Sequence, residues 1–436
     1  MKGNSLKKQA MITAGSTALV RVLGFGMRLW ISRLLGTEAL GVMELASSAH
    51  MLALTPAAAG LPSAVSRLTA RAKNREEQQL TLYTARRMAT AMGSGIGLLF
   101  FLFSPLLANA LGDGRTLPAL LFFSPCVLTV GISSVYDGYF FGRGQALPPA
   151  LSESAEQLAR LGTVAALSFL VPRATAAYRA ALPALASTAG ETAGLLVILV
   201  LTGPVHSFRG DARGKTVRRQ LTRLSLPLLL NRFCHTGLRS LCGVIIPLRL
   251  MDAGMGRAEA MSQLGMLNGM VMPLMFLPGM VTGALSAVGA PAVARCGTEK
   301  EERRLITRLL LSALGTGGLC AASLYGISPV ISRYFYRLPE LTGLIRTACP
   351  LSVILPLQQV SGGLMTGLGL QKRSLRASLL GSAALLLCTW QWLPVMGIRG
   401  AACASMTGHG LTLLCELACL LSREKGAGKN RQGAFL

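Results

Sequence analysis

The segment PCVLTVGISSVYDGYFFGRGQ, residues 125–145, has a counterpart in the second half of the chain, and this repetition decides the fold. The counterpart is PLSVILPLQQVSGGLMTGLGLQ, residues 350–371, and the two segments match at an offset of 225 positions. A second match pairs GLPSAV at 60–65 with GALSAV at 283–288, at an offset of 223. Similar offsets at separate places predict a duplicated structural unit. The matched residues of the longer pair are Pro125 with Pro350, Val135 with Val360, Gly138 with Gly363, Gly142 with Gly367 and Gly144 with Gly369.

The composition is that of a membrane protein. The chain has 436 residues, of which 51% are hydrophobic and 14% charged, whereas a soluble domain carries about a quarter charged residues. Apolar stretches of about 20 residues, the length that a helix needs to cross a bilayer, recur from end to end. The sequence therefore predicts an all-α polytopic membrane protein, because helices satisfy their own backbone hydrogen bonds in lipid.

The net charge of +25 would favour a nucleic-acid partner if the protein were soluble. Here the basic residues cluster in short loops between apolar segments, and no basic domain with interleaved aromatic residues occurs. They indicate membrane orientation instead, so we expect no nucleic-acid partner. With both termini placed in the cytoplasm, 28 Lys and Arg residues fall on the cytoplasmic side and 10 on the external side. This bias predicts an N-in/C-in topology.

Loop signals divide the chain into twelve predicted spans, S1 to S12. An even number of spans in each copy keeps both copies in the same orientation, so the repeat axis runs along the membrane normal, as in parallel-repeat transporters. The prediction is two six-helix lobes around a central cleft. The spans are 10–35, 39–70, 81–111, 116–142, 149–171, 178–203, 220–249, 260–294, 303–332, 341–368, 374–395 and 399–422. The predicted parts are an N-lobe at 1–205, a basic cytoplasmic linker at 206–219, a C-lobe at 220–422 and a basic cytoplasmic tail at 423–436.

Two predicted spans carry arginine pairs. S1 contains Arg21 and Arg28 in RVLGFGMR, and S7 contains Arg232 and Arg239 in NRFCHTGLRS. A charge inside a span is costly and marks a candidate functional site. Seven helical residues make nearly two turns and rise about 10 Å, so each pair shares one face. Because S1 and S7 open the two lobes, the repeat predicts a shared cationic cavity. Guanidinium groups bind phosphate oxygens bidentately, so the predicted ligand is an anionic, phosphate-rich headgroup.

The surroundings of the S1 arginines allow two interpretations. Gly24 and Gly26 thin the helix beside them and would let a ligand or a neighbouring helix approach. The alternative is that the arginines reach the membrane surface or pair with carboxylates of their own lobe. Arg28 is close to the external end of S1, and Glu44 in S2 is a candidate partner. Arg21 lies deeper, which favours binding for that residue.

Other ionisable residues within the spans divide differently. Glu156 and Arg160 stand four residues apart in S5, which favours an ion pair within one helix. Asp137 in S4 and Glu191 in S6 lack a sequence-local partner, and each is a candidate site for a coupling ion or a buried, hydrogen-bonded group. The ten cysteines include no CxxC pair and accompany no histidine pair, so no metal or cofactor is predicted. The histidines within spans, candidates for proton transfer or for packed polar residues, are His50, His235 and His409.

Several segments together resemble one family of transporters. RVLGF and the following ISRLLGTEALGV resemble helix 1 and the next loop of the MurJ and stage V sporulation protein B-like flippases, within the multidrug/oligosaccharidyl-lipid/polysaccharide exporter superfamily. DGYFFGRGQALPPALSESAEQLARL resembles the GYFQG-loop-Pro segment of that family and the helix after it. ILPLQQVSGGLMTGLG and GIRGAACAS resemble segments of its C-lobe. One departure is Asp137, at a position where a basic residue is common in the sporulation-type proteins.

The resemblance implies a function as well as a fold. Such proteins move undecaprenyl-pyrophosphate-linked saccharides, such as the peptidoglycan precursor lipid II, across the bacterial plasma membrane by alternating access. By position, Arg21 and Arg28 match helix-1 arginines implicated in headgroup binding, whereas Arg232 and Arg239 come from the internal repeat alone. Many relatives carry two further helices beyond S12 that guide the lipid tail, so the resemblance does not place the tail here.

Three classes of function compete. We expect a monomeric flippase for a lipid-linked saccharide, with the membrane lipid and the saccharide as its partners and no catalytic activity. A multidrug or cation antiporter of the same superfamily is the alternative, although cationic cargo would call for an acidic or aromatic cavity. A membrane-embedded glycosyltransferase is disfavoured because no external loop is long enough to form a sizeable catalytic domain and no carboxylate constellation accompanies one.

Overall fold

A computed structural model describes residues 20, 23–169, 174–206, 208, 212–294, 296 and 298–426. These residues are helical apart from short connections, and no strand occurs among them. The helices are α1 (23–35), α2 (Thr37–Ala58), α3 (Leu61–Arg71), α4 (Arg75–Leu102), α5 (Ser104–Ala110), α6 (Leu117–Gly142), α7 (Leu147–Leu167), α8 (Ala176–Thr202), α9 (Ala212–Asp252), α10 (Arg257–Leu264), α11 (Met272–Met275), α12 (Gly279–Ala294), α13 (Glu299–Val330), α14 (Leu341–Ala348), α15 (Leu351–Gly367), α16 (Gln371–Met396) and α17 (Ile398–Gly426).

Where they are described, the predicted spans coincide with one helix or with a broken series of helices; residues 10–19, 21 and 22 of S1 and 170–171 of S5 lie outside the described residues. S2 is α2 and α3, which are separated at Gly60, and S3 is α4 and α5, which meet at an angle of 62°. Within the described residues, six helices are long and apolar enough to cross a membrane, or seven if α4 and α5 form one span. S8 is broken further, because a π-helical turn at Gly265–Val271 joins α10 to α11. The predicted all-α class with about twelve spans is confirmed.

The two halves cap their helices in the same way. α4 begins at Asn74, whose side chain accepts a hydrogen bond from the Glu77 amide at 2.9 Å, and α13 begins at Thr298, which caps through the Glu301 amide. Such side-chain acceptors satisfy amides that have no partner in the first turn. At the other end, α6 and α15 close with left-handed glycines that also match in the repeat. These are Gly144 at φ 69° and Gly369 at φ 73°, the conformation that glycine adopts at helix C-termini.

Glycine contacts between helices repeat as well. A Cβ atom on Gly142 of α6 would lie 2.6 Å from the Ser66 carbonyl oxygen of α3, and one on Gly138 would overlap Pro62. In the second half, a Cβ on the matching Gly367 of α15 would overlap the Ala290 backbone of α12. Backbone therefore packs directly on backbone at the same places in both halves, as a duplicated unit requires.

The last two helices of each half pack by an equivalent contact with a shifted register. In the first half, a Cβ on Gly190 of α8 would lie 2.8 Å from the carbonyl oxygen of Glu156 on α7. In the second half, a Cβ on Gly408 of α17 would lie 2.7 Å from the carbonyl oxygen of Gly381 on α16. Glu156 and Gly381 keep the offset of 225, whereas Gly190 and Gly408 are 218 positions apart. The shift arises because the α16–α17 connection is shorter than the α7–α8 connection.

The described chain forms two compact units. Unit 1 contains the residues up to Val244 together with Gly256–Gly265, and unit 2 contains Ile245–Met255 and the residues from Met266 onward. Most of α9 thus belongs to unit 1, whereas the repeat assigns S7 to the C-lobe. The compact units differ from the predicted lobes in this respect, and the division at 205 and 220 stays a prediction.

Gly367→Ala should destabilise the protein because the added Cβ meets backbone that cannot rotate away. Overpacking of this kind costs about 1–3 kcal/mol, so the thermal unfolding midpoint in detergent should fall. Gly315→Ala on α13 is the matched control, since a Cβ there meets nothing within 4 Å and alanine favours helix. An unchanged midpoint for Gly367→Ala would contradict the tight α12–α15 contact.

Candidate functional site

Arg28 of α1 pairs with Glu44 of α2. The guanidinium Nη2 lies 2.6 Å from the Glu44 Oε1, and the two side chains are 43% and 15% exposed. Gly36, at φ 76°, makes the sharp turn between α1 and α2, and positions 28 and 44 lie equally far from it along the chain. The partner predicted from the sequence is confirmed. The Arg28 side chain nevertheless keeps much of its surface open.

The same side of α2 also holds α9. Ser48, one turn beyond Glu44, accepts a hydrogen bond on its carbonyl from the Ser240 hydroxyl at 2.8 Å. A further turn along, Leu52 lies against Gly237 of α9. Residues 44, 48 and 52 form one stripe because helical residues four apart share a face. α2 therefore positions both arginine-bearing helices within unit 1.

The arginines of α9 flank this contact. Arg239 directly precedes Ser240, so its Cβ leaves the helix about 100° away from the contact with α2. Arg232 shares the face of Arg239, and both residues are exposed. Along α2, the levels of Arg28 and Arg239 differ by about one turn, roughly 6 Å. Arg21 lies outside the described residues.

The glycines beside Arg28 face little protein. A Cβ on Gly24 would come within 3.8 Å of the Gln157 Oε1 on α7, which is ordinary contact, and one on Gly26 would meet no described atom within 4 Å. Neither glycine is needed for close packing of the described helices. Among the described residues, little protein therefore covers α1 at the level of Arg28.

A cluster of carboxylates lies on α6, α7 and α8. The predicted ion pair of Glu156 with Arg160 is present, and Arg160 also lies 3.4 Å from Glu191 of α8. Glu191 thus has a partner that sequence spacing does not reveal. Asp137 of α6 lies where the charges of Glu153 and Glu156 act on it. Glu156 and Glu191 share one arginine, so these two carboxylates exceed the positive charge beside them when both are ionised.

Histidine side chains of the spans are packed polar residues where they are described. His50 of α2 is buried and stacks on Phe123 of α6, with ring centroids 4.2 Å apart. His409 of α17 makes a hydrogen bond through Nδ1 with the Gln358 Oε1 at 2.8 Å. The side chain of His235 lies outside the described part. Within the described residues, no group of three or more His, Cys, Asp or Glu residues could hold a metal ion.

Glu416 of α17 is a candidate that the sequence prediction missed. Its carboxylate accepts a hydrogen bond from the Ser374 hydroxyl of α16 at 2.7 Å and also bonds to Ser361 of α15. The residue is 2% exposed. The available signal was its position, because Glu416 is the single charged residue of the run GLTLLCELACLL at 410–421. A single charged residue inside a predicted span marks a candidate functional site, as a pair of charged residues does.

The chain belongs to the polysaccharide biosynthesis protein family, whose model matches residues 6–297. Stage V sporulation protein B of Bacillus subtilis (strain 168) is 29% identical over 435 residues, with 96% of this chain and 84% of that protein covered. The lipid II flippase MurJ in its inward closed conformation superposes with a TM-score of 0.76 at 14% identity, covering 94% of this chain and 87% of the other.

An inward-facing multidrug resistance MATE transporter of the MOP superfamily has the same fold. Its TM-score is 0.71 at 15% identity, over 95% of this chain and 99% of that one. The chain is therefore a multi-pass membrane protein with the fold of MurJ and of MATE transporters. The sequence-based assignment to this superfamily is confirmed.

Arg160→Met should destabilise the protein more than Glu156→Gln. Removing Arg160 strands two carboxylates, and an uncompensated buried charge costs about 3–5 kcal/mol. In Glu156→Gln the arginine still has Glu191 as a partner. The check is the thermal unfolding midpoint of each variant in detergent, with the exposed Arg257→Met as the control. Equal losses in both variants would show that Glu191 does not share the arginine.

Proposed function

We propose that this protein is a flippase for a lipid-linked saccharide whose headgroup carries a pyrophosphate, as in undecaprenyl-pyrophosphate-linked precursors. The observation that carries this proposal is the gathering of α1 and α9 on one stripe of α2, with Arg232 and Arg239 exposed beside it and the half-buried Arg28 paired with Glu44. Membership of the polysaccharide biosynthesis family and the MurJ-like fold support the same class of cargo.

The physical reason is the cost of a guanidinium in lipid. Arginine stays charged at any accessible pH, and a charge at the centre of a bilayer costs at least about 2.5–3.5 kcal/mol. Arginines that are exposed along a span are therefore expected to face water in a cavity rather than hydrocarbon. A cationic aqueous cavity in a membrane attracts an anionic headgroup, and pyrophosphate matches the planar fork of guanidinium.

Glu44 gives the site a resting partner. Without cargo, its carboxylate pairs with the Arg28 guanidinium, to which a phosphate of the cargo would bind. A phosphate must then displace Glu44, so binding is weakened and release is favoured. Such an internal competitor suits a transporter, which has to let its cargo go. Movement of the cargo would follow from alternating access of two lobes, with both termini in the cytoplasm as the loop charges predict.

A cation or drug antiporter is the second candidate, because the cluster of Asp137, Glu153, Glu156 and Glu191 could receive a cation. The MATE-like fold is compatible with it. Arg160 neutralises part of that cluster, however, and cationic cargo would be repelled by the arginines of α1 and α9. The flippase is therefore the better supported of the two.

The deciding experiment is rescue of bacteria depleted of their own lipid II flippase. Rescue, together with a leaflet-accessibility assay in which the precursor reaches the outer leaflet, would establish the substrate class. Export of cationic dyes without rescue would favour the antiporter. Normal membrane expression of the protein has to be verified in both arms.

Arg239→Ala should lower flipping about 10–100-fold because a phosphate loses a bidentate partner. Arg239→Lys should reduce the flipping rate less, since lysine keeps the positive charge but cannot bind phosphate bidentately. Arg21→Ala and Arg28→Ala are expected to behave in the same way, with Arg21→Ala the most severe. The leaflet-accessibility assay measures all four, and Arg257→Ala, an exposed arginine of α10, is the control. Full activity of Arg21→Ala and Arg239→Ala would refute the cationic site.

Glu44→Gln should bind inorganic pyrophosphate more tightly than the wild type. A partly exposed ion pair is worth about 0.2–1 kcal/mol, so freeing Arg28 should tighten binding by up to about fivefold. Turnover should fall or stay level because release becomes harder. Calorimetric titration of the purified protein with pyrophosphate measures the first effect. Glu38→Gln, a carboxylate that pairs with Arg115 instead, is the matched control, and weaker binding by Glu44→Gln would contradict the competitor role.

A further inference from the structure

Glu416 is unusual among the buried carboxylates of this protein. Within the described residues only Asp113 and Glu416 are almost wholly buried acidic side chains. Asp113 has a cationic partner, because the Arg115 Nη2 lies 2.7 Å from its carboxylate. Glu416 has no ion pair with any described residue, and hydroxyl groups surround its carboxylate instead. A charged carboxylate in an apolar interior without a cation is strongly disfavoured.

The hydroxyl groups of Ser361 and Ser374 make three hydrogen-bond contacts at this site. Ser374 makes one hydrogen bond, to the Glu416 Oε1. Ser361 contacts two acceptors, the Glu416 Oε2 and the Gln358 carbonyl oxygen at 3.1 Å. A hydroxyl donates one hydrogen and can accept others. A separate hydrogen for each of the three contacts would take three, and the two serines supply two. The third is supplied if the Glu416 carboxyl is protonated and donates to Ser361 while Ser361 donates to Gln358.

Packing alone does not require a carboxylate at this position. The α8–α17 offset of 218 pairs Glu416 with Ile198, a fully buried residue of the hydrophobic core of unit 1. The equivalents of Ser361 and Ser374, at the offset of 225, are Tyr136 and Pro149, so the serines are not part of the repeated contact either. At this position the first half of the chain has an apolar residue and the second half a polar one.

Among the side chains that the structure describes, few charged groups lie near Glu416. α17 packs against α14, α15 and α16, and α15 carries no ionisable residue. The basic residues of α14 and of the start of α16 are exposed. On α17, His409 lies two turns away and is bonded to Gln358. The exposed basic residues are Arg346 on α14 and Lys372, Arg373 and Arg376 on α16.

We propose that Glu416, with Ser361 and Ser374, is a proton-binding site that ties α15, α16 and α17 together. In the binding step, a proton from water forms an O–H bond on the Glu416 carboxylate, and the reverse step returns it to water. Ser374 lies in the first turn of α16, so the end where α16 begins and α17 ends is the short route to water. A metal ion does not fit between a carboxylate and a hydroxyl that are in direct hydrogen-bond contact.

Release of the proton has a mechanical consequence. It leaves a negative charge among apolar side chains with only two hydroxyl donors, so α15 and α17 must separate, or water must enter, to solvate it. Proton binding would thus bias the packing of three helices in unit 2. The proposal does not depend on the identity of the cargo, and its test can be read without any transport measurement.

The test is infrared difference spectroscopy of the full chain in liposomes, recorded between low and high pH. The wild type should show a protonated carboxyl C=O band that disappears as the pH rises and shifts in D₂O. Glu416→Gln should lack this band, whereas Glu340→Gln, an exposed carboxylate of unit 2, should retain it. Repeating the titration with choline in place of sodium separates proton binding from sodium binding. An identical band in Glu416→Gln, or a transition that requires sodium, would overturn the proposal.

Ser374→Ala provides a second test that keeps the carboxyl group, in case Glu416→Gln fails to fold. The serine stabilises the charged carboxylate more than the neutral acid, because hydrogen bonds to charged groups are the stronger ones. Its removal should shift the midpoint of the band by about one pH unit toward higher pH. Ser312→Ala, a serine on the exposed side of α13, should leave the midpoint in place. An unmoved midpoint in Ser374→Ala would show that the titrating group lies elsewhere.

Discussion

The contact of backbone on backbone at the glycines of α6 and α15 is the constraint on which the rest of the structure depends. Gly138 and Gly142 bring α6 against the backbone of α3, and Gly367 brings α15 against the backbone of α12. No other residue allows such an approach without displacement of a helix. This contact fixes the second span of each half. In the first half, Glu44 of that span forms an ion pair with Arg28, and the Ser48 carbonyl oxygen accepts a hydrogen bond from α9.

The sequence predicts the features that depend on spacing along one chain segment. Hydrophobic runs locate the helices, the 225-residue offset locates equivalent glycines, and the i,i+4 spacing of Glu156 and Arg160 yields a correct ion pair. Each of these follows from helix geometry, which is local. Spacing along the chain also accounts for the pairing of Arg28 with Glu44. The sharp turn at Gly36 places residues that are equally far from it side by side on the two helices that it joins.

Features that depend on the rotation of one helix about another could not be predicted in this way. The sharing of Arg160 with Glu191 requires the register of α8 on α7, and the packing of α9 with unit 1 requires a contact across almost 200 positions. Glu416 was missed for a different reason. Its serine partners lie on two other helices, and a hydroxyl gives no signal in charge or hydropathy patterns.

The two halves share backbone contacts but differ in the polar groups that they carry at equivalent positions. At the α7–α8 contact the first half carries Glu156 and Glu191, and the equivalents in the second half are Gly381 and His409. Further along, Ile198 of the first half corresponds to Glu416 of the second. The glycine contacts fix the backbone independently of these side chains. Different polar residues at equivalent positions are therefore compatible with one fold. A duplicated scaffold can in this way carry a carboxylate–arginine cluster in one unit and a carboxylate with hydroxyl donors in the other, so the two units need not respond alike to cations or to pH.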